Sequence, residues 1–448
     1  MAANPYHHTE SQDSVLPSRG NARSWIRPIL VIALLLRIGA AFAVDGYLNE
    51  AGRPFLIEGD ANGYWELAEN ISAGKDYSIY SPPRYILRVP GFPVLLSASI
   101  CMFGNSILAA RLILAVIGTA CCWLTYLLGK RVADRTAGIA AALYVAINPI
   151  HIGNNVLILS ETWFTFWMML SLLCVARFFV APKLDSQPEQ SPLAGKALLT
   201  GALIGLTVLV RPGFLPWTGI VCVAILMGWK SSAAGECSVR RVPIRNRILQ
   251  CGAIVLGCGM VMLPWAIRNY RVTGHVVITS LWSGPSLYDG LNPNADGTSD
   301  MQFFEDDQVM TKMSEFQMNE HYKQKAVEFV RRQPAKAVSL AIPKAKQYLS
   351  PVPNSLNGRG WAIRAGCISV WLLMLLGLTM GLKSQATSKA CLLLSTGPFL
   401  LFLLVHMVFV GSVRYRLPVE FPLAVLAAIG WRDLVMLWNN RKSVAADR

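Results

Sequence analysis

Residues 25–44 read WIRPILVIALLLRIGAAFAV, an apolar run interrupted by Arg27 and Arg37. Such a run matches a hydrocarbon core about 30 Å thick, and within lipid a helix satisfies its own backbone. The pattern returns near 106–129, 136–151, 155–180, 196–211, 213–229, 249–267, 361–382, 389–410 and 417–437. An all-α polytopic membrane protein with about ten transmembrane helices is therefore expected. Composition agrees: of 448 residues, 53% are hydrophobic and only 15% charged, against roughly 25% charged in soluble domains.

Short loops retain Lys and Arg on the cytoplasmic side. Lys130, Arg131, Arg135, Lys196, Lys230, Arg240, Arg241, Arg245, Arg247, Lys383, Lys389, Arg441 and Lys442 then share that side, and both termini lie inside. The net charge of +15 is accounted for by this topology and by anionic lipid headgroups, not by nucleic acid. The polar segment 1–24 reads as a disordered cytoplasmic tail ahead of an uncleaved anchor, and 438–448 as a second tail. Nine of the ten cysteines fall in apolar runs and Cys237 in a cytoplasmic loop, so they read as packing residues.

Two substantial segments remain outside, 45–105 and 270–360, the larger following the seventh helix. The first opens with IEGDANGYWELAENISAGKD, residues 57–76, an acidic aromatic helix for which Asp60 is a natural N-cap. Glu66 and Glu69 are expected to be solvated or paired with Lys75. Val94–Phe103, too short to span, is expected to lie in the interface. In the second segment two amphipathic helices are expected near 305–332 and 334–349, separated by Pro334. From Met313 onward, Phe316, Tyr322, Ala326, Phe329 and Val330 share a face that suits packing on the outer membrane surface.

Arg84, Arg88, Arg211, Arg268, Arg271, Arg414 and Arg416 fall at the outer boundary, against the charge rule. Arginine is planar, permanently charged and able to clamp phosphate through paired hydrogen bonds; snorkelling to lipid headgroups is the alternative for any one of them. GSVRYRLPVEFPL, residues 411–423, is the sharpest case, with two arginines in a tight connection between spans. Beside an acidic helix, such arginines suggest group transfer from a lipid phosphate, with Asp60 as base and the arginines on the leaving phosphate. Within the spans the polar residues are few: Arg37, expected to be paired inside the bundle, Asn148, and Glu161 near an outer helix end. The two halves show no repeat, which weighs against a secondary transporter.

Several motifs in order resemble a known family. GDANGYWELAENI (59–71), RVPGFPVLLSASICMFG (88–104), LSETWFTFWMML (159–170), GLTVLVRPGFLPW (205–217), PWAIRNYRVTG (264–274), LYDGLNPNADG (287–297) and RYRLP (414–418) are similar to segments of the GT-C membrane glycosyltransferases of the dolichyl-phosphate-mannose-protein mannosyltransferase and lipid A aminoarabinose transferase type. The resemblance runs over about residues 25–435. It implies a GT-C transmembrane domain at 25–437 and inverting transfer of a hexosyl or pentosyl group, from an outward-facing polyprenyl-phosphate donor to a glycan, lipid or protein acceptor, in a bacterial cytoplasmic membrane.

By the same resemblance Asp60 is the catalytic carboxylate. Arg88, Arg268, Arg271, Arg414 and Arg416 would face the lipid phosphate, and Tyr64, Glu161, Tyr288, Asn292 and Asn294 would line the sugar or acceptor pocket. Many relatives carry a second acid directly after the loop Asp, where this chain has Ala61, which leaves Glu58 as a rival base. Leu291 stands where the family has an Asn. No cofactor is required by these motifs; a divalent metal is left open, although His275 and His321 lack ligand spacing. The competing readings are a lipid-linked sugar flippase or other transporter, which predicts more polar residues deep in the spans, and a membrane assembly factor, which leaves the outer arginines unexplained.

Overall fold

In the computed structural model residues 25–180, 193–229, 242–353 and 360–446 are described; the expected tail at 1–24 lies outside them. In chain order the helices are α1 (Ile26–Glu50), α2 (Glu58–Ser72), α3 (Gly91–Phe103), α4 (Ile107–Val132), α5 (Arg135–Ile147), α6 (Pro149–Asn155), α7 (Glu161–Phe179), α8 (Leu193–Val208), α9 (Pro216–Leu226) and α10 (Ile244–Thr273). Then follow α11 (Ser283–Gly290), α12 (Phe303–Asp307), α13 (Val309–Lys312), α14 (Glu315–Arg332), α15 (Pro334–Ser339), α16 (Ala341–Leu349), α17 (Trp361–Lys383), α18 (Lys389–Val408) and α19 (Val413–Ala446). Among the described residues the β content is limited to bridges, one of them pairing Ile79 with Arg84.

The chain is a multi-pass membrane protein. Among the described residues seven helices are long and apolar enough to cross: α1, α4, α7, α10, α17, α18 and α19. The bent pair α5–α6 makes up to eight, so the expected ten are not all present as full-length spans. α8 has 16 residues and α9 only 11, and at 1.5 Å per residue these reach about 24 and 17 Å, short of the hydrocarbon thickness. α5 and α6 bend by 65° at Asn148, whose side chain caps Ile150 N–H at 3.0 Å while Pro149 can donate nothing to the preceding turn. α19 continues as a helix to Ala446, so most of the expected tail from 438 is helical.

Helices meet where glycine removes a side chain. A Cβ on Gly201 of α8 would lie 2.0 Å from Ile254 O, and one on Gly257 of α10 2.1 Å from Leu198 O. Gly381 of α17 and Gly430 of α19 meet the partner backbone in the same way, at 2.2 and 2.0 Å. Small residues permit this approach in lipid, where apolar burial offers little drive for association. Exposed Trp25, Trp229 and Trp438 mark one end of the bundle and exposed Trp361 the other, as interfacial belts do.

Basic side chains close helix ends that lie away from water. Arg37, wholly buried, has carbonyls and an amide as its hydrogen-bond acceptors, not an acid: Asn155 Oδ1 at 2.8 Å, Ala33 O at 3.0 Å, Val145 O at 3.1 Å and Ala146 O at 3.2 Å. The last two belong to the final turn of α5, whose carbonyls the break at Asn148 would otherwise orphan. Lys344 serves the end of α18, donating to Val408 O at 2.7 Å.

The expected pair of amphipathic helices is more broken than the sequence pattern suggests. Gln308 is left-handed (φ 48°), and a capping box between Ser314 and Gln317 restarts the chain as α14. The buried face of α14 is Met318, Asn319, Tyr322, Ala326 and Phe329, with Val330 turned outward. This face packs on α11 and the loop around it.

Candidate active site

Asp60 stands at the third position of α2, whose first residue is Glu58 and whose cap, Ile57, makes no side-chain bond. It is therefore not the N-cap. Freed from capping, its two oxygens accept from different arginines: Arg88 Nη2 at 3.0 Å on Oδ1 and Arg414 Nη1 at 2.6 Å on Oδ2. One turn along α2, Gly63 makes the room: a Cβ there would lie 3.0 Å from Arg88 Nε. Tyr64 supplies its ring beneath the Arg88 guanidinium at 4.4 Å.

The turn carrying Arg88 is itself held. Gly91 N–H donates to Leu209 O at 2.8 Å, and Trp163 Nε1 donates to Gly91 O at 2.9 Å. Leu209 leads into Arg211, which precedes Pro212 and is accordingly extended (φ −144°, ψ 109°). That conformation aims Arg211 at the start of α7: Nη2 donates to Glu161 Oε1 at 2.6 Å and Nε to Ser160 Oγ at 3.2 Å. Arg414 Nε donates to the same Glu161 oxygen. Arg414 thus bridges the two carboxylates, from the first turn of the last span.

Three arginines face two carboxylates, which leaves one net positive charge. Glu161 is 1% exposed and its second oxygen has no hydrogen-bond partner, whereas Asp60 is 33% exposed. The cluster therefore opens to solvent at Asp60. Burial pushes the Asp60 carboxyl pKa up, but Arg414 and then Arg88 outweigh burial and hold it well below the usual carboxylate range. The set is anion-attracting. Among the described residues no three His, Cys, Asp or Glu side chains group as metal ligands, and two carboxylates already occupied by three guanidinium groups do not fit a divalent cation.

Of the residues singled out from sequence, Asp60, Tyr64, Arg88, Glu161 and Arg414 come together here. Glu58 is exposed, in the first turn of α2. Arg268 is a clamp for the first outer segment, donating to Tyr85 O at 2.7 Å and Tyr77 O at 3.0 Å, and Arg271 is exposed. Arg416, 1% exposed, pairs with Glu420, which in turn lies 3.1 Å from His151 Nε2; its Nη1 donates to Tyr348 O and Ser350 O at 2.6 and 2.8 Å. Tyr288 stacks on Tyr322, Asn292 closes its own turn through Tyr288 O and Asn294 N–H, and Asn294 is exposed. Arg211, one of the arginines at the outer boundary, joins the site, as do Ser160 and Gly63. Glu69 accepts from Trp65 and Asn105, not from Lys75.

Residues 92–279 match the family model described as dolichyl-phosphate-mannose-protein mannosyltransferase, a span that includes Glu161 and Arg211. The undecaprenyl phosphate-alpha-4-amino-4-deoxy-L-arabinose arabinosyl transferase 1 of Pseudomonas fluorescens is 24% identical over 275 residues, 60% of this chain and 42% of that relative. The archaeal oligosaccharyltransferase AglB of Archaeoglobus fulgidus, solved with an inhibitory peptide and a dolichol-phosphate, superposes at a TM-score of 0.52 with 15% identity, over 94% of this chain and 52% of its own. The same organism's oligosaccharyltransferase complexed with Zn and sulfate gives 0.53 at 16% identity, over 94% and 50%. This chain spans about half the length of these relatives. It shares the GT-C fold of these solved structures, and its residues 92–279 are similar to the dolichyl-phosphate-mannose-protein mannosyltransferase family model.

Proposed function

We propose that this chain is an inverting glycosyltransferase that moves a hexosyl or pentosyl group from a polyprenyl-phosphate donor to a glycan, lipid or protein acceptor. The observation that carries the reading is the Asp60–Arg414–Glu161 bridge flanked by Arg88 and Arg211. Its surplus positive charge suits a lipid phosphate, and its exposed member is the carboxylate. The relatives' names point the same way, to sugar transfer involving lipid phosphates. The catalytic unit is residues 25–437. The site faces the outside of a bacterial cytoplasmic membrane with both termini inside, since Lys130, Arg131, Lys383 and Lys389 lie at helix ends away from Asp60.

In this reaction an acceptor oxygen attacks the anomeric carbon as the bond from that carbon to the phosphate oxygen breaks. The electron pair stays on the lipid phosphate, where Arg88, Arg211 and Arg414 neutralise it. A hydroxyl acceptor gives its proton to Asp60; a phosphate acceptor needs only to be oriented by it. With both arginines on it Asp60 is a weak base, and the donor phosphate, competing for the same guanidinium groups, restores its basicity. No step requires a metal.

The test is transfer from radiolabelled polyprenyl-phosphate sugars in membranes holding the wild type or Arg414→Ala at matched expression. Transfer by the wild type and its loss in the variant are expected. Absence of transfer from every donor tried, or full transfer by Arg414→Ala, refutes the reading.

A further inference from the structure

The segment α15–α16 carries three large apolar side chains on one outward stripe: Val338 is 74% exposed, Ile342 59% and Leu349 39%. Their spacing of four and seven residues keeps them on one helical face, with exposed Lys346 among them. The opposite face buries Leu340, Lys344 and Tyr348. The outward residues of α14, by contrast, include Lys323, Gln324, Glu328 and Arg331, as water requires.

Contacts with α18 set the depth. Lys344 Nζ donates to Val408 O, at the last residue of that span, at 2.7 Å. Four residues on, the Tyr348 hydroxyl donates to Phe399 O at 3.4 Å, with its ring 5.6 Å from Phe399 and 6.1 Å from His406. Val408 and Phe399 lie nine residues apart, about 13 Å along a helix, of which the four residues from Lys344 to Tyr348 supply about 6 Å and the Tyr348 side chain the rest, so α16 slants down α18 from the site end toward the interior. Beside it Leu400, Leu404 and Val408 of α18 are exposed as lipid-facing residues are.

A helix ending at that depth needs partners for its last carbonyls other than water. Arg416 provides them from within the bundle, through Tyr348 O and Ser350 O. We propose that α15–α16 is a lipid-inserted element that descends obliquely into the leaflet on the site side, with Val338, Ile342 and Leu349 meeting phospholipid acyl chains at increasing depth. Lys346 extends back to the headgroup phosphates, its stem along the apolar face.

The test does not depend on sugar transfer. Val338→Cys, Ile342→Cys and Leu349→Cys are each labelled with bimane in the full chain, and reconstituted in phosphatidylcholine vesicles whose acyl chains are brominated near the glycerol or near the methyl end. Labelled wild type is subtracted for native cysteines; Leu404→Cys and Gln324→Cys mark the lipid-facing and aqueous limits. Quenching should rise from position 338 through 342 to 349, with 349 approaching Leu404→Cys. If 342 and 349 are quenched no more than Gln324→Cys while Leu404→Cys is quenched, the stripe is covered by water or protein and the proposal fails. Equal quenching at all three positions refutes the descent.

Discussion

Replacing Asp60 by Asn should separate chemistry from binding. The substitution keeps the side chain's shape but removes the charge that Arg88 and Arg414 share at 3.0 and 2.6 Å. A charge-assisted hydrogen bond of this kind contributes about 1.5–3 kcal/mol when sheltered. Asp60 is 33% exposed, so screening brings the pair nearer the ~1 kcal/mol of exposed ion pairs. Arg414 also keeps Glu161. The expected loss of stability is therefore about 1–2 kcal/mol, small against the roughly 5–15 kcal/mol that holds a typical fold. The loss of turnover should be far larger, about 10²–10⁴-fold for removal of a general base, or about 3–5 kcal/mol of barrier. The cluster's surplus charge meanwhile rises from one to two, so the donor phosphate should bind at least as tightly. Initial rates against donor concentration, with thermal unfolding of the same preparation, should give a collapsed kcat with KM unchanged or lower. A kcat within about threefold of wild type, or a KM that rises in step with the loss, would refute the role given to Asp60.

Glu161→Gln leaves Arg211 and Arg414 without their shared buried anion, and should cost about 3–5 kcal/mol, read as a lowered Tm together with lost transfer. Gly63→Val pushes a methyl-bearing Cβ into Arg88 and should lower kcat/KM about tenfold while leaving the Tm within a few degrees; an unchanged kcat/KM would detach Arg88 from the reaction. Arg416→Met should destabilise by about 3–5 kcal/mol, because Glu420 and two carbonyls lose their donor, yet any folded fraction should retain its transfer activity per molecule. With pH, the sign follows from the lowered Asp60 pKa: its stabilising contribution is complete above the unfolded value, 3.8, and is lost as pH falls through the lower folded value. Wild type minus Asp60→Asn stability should thus be flat near neutrality and shrink only in acid; a difference that shrinks between pH 5 and 7 would contradict it.

Much of this molecule could be read from its residues in order. Apolar runs located the spans because hydropathy and length alone decide what can cross lipid, and the arginines out of place for a membrane protein pointed to the end where the site lies. Among the described residues, the runs that are not full-length spans differ because run length overstates helix length: Pro149 and Asn148 break one run, and α8 and α9 are short. Asp60 was legible as a candidate, but its position in the helix was not, since capping depends on where the chain first turns helical.

Arg414 and Arg416 show the boundary most clearly. They are identical side chains two residues apart, and in a helix such neighbours point about 200° away from each other. Nothing local says which one turns toward Asp60. The rotation of α19 about its own axis decides it, and that rotation is set by the close approach of Gly377 and Gly381 of α17 to α19 and of Gly430 of α19 to α17. One arginine then meets two carboxylates from α2 and α7, and the other ties the end of α16 to the bundle. By itself the sequence determined which groups the protein has and at which ends of the helices they stand; only the packing of distant helices decided which of them meet.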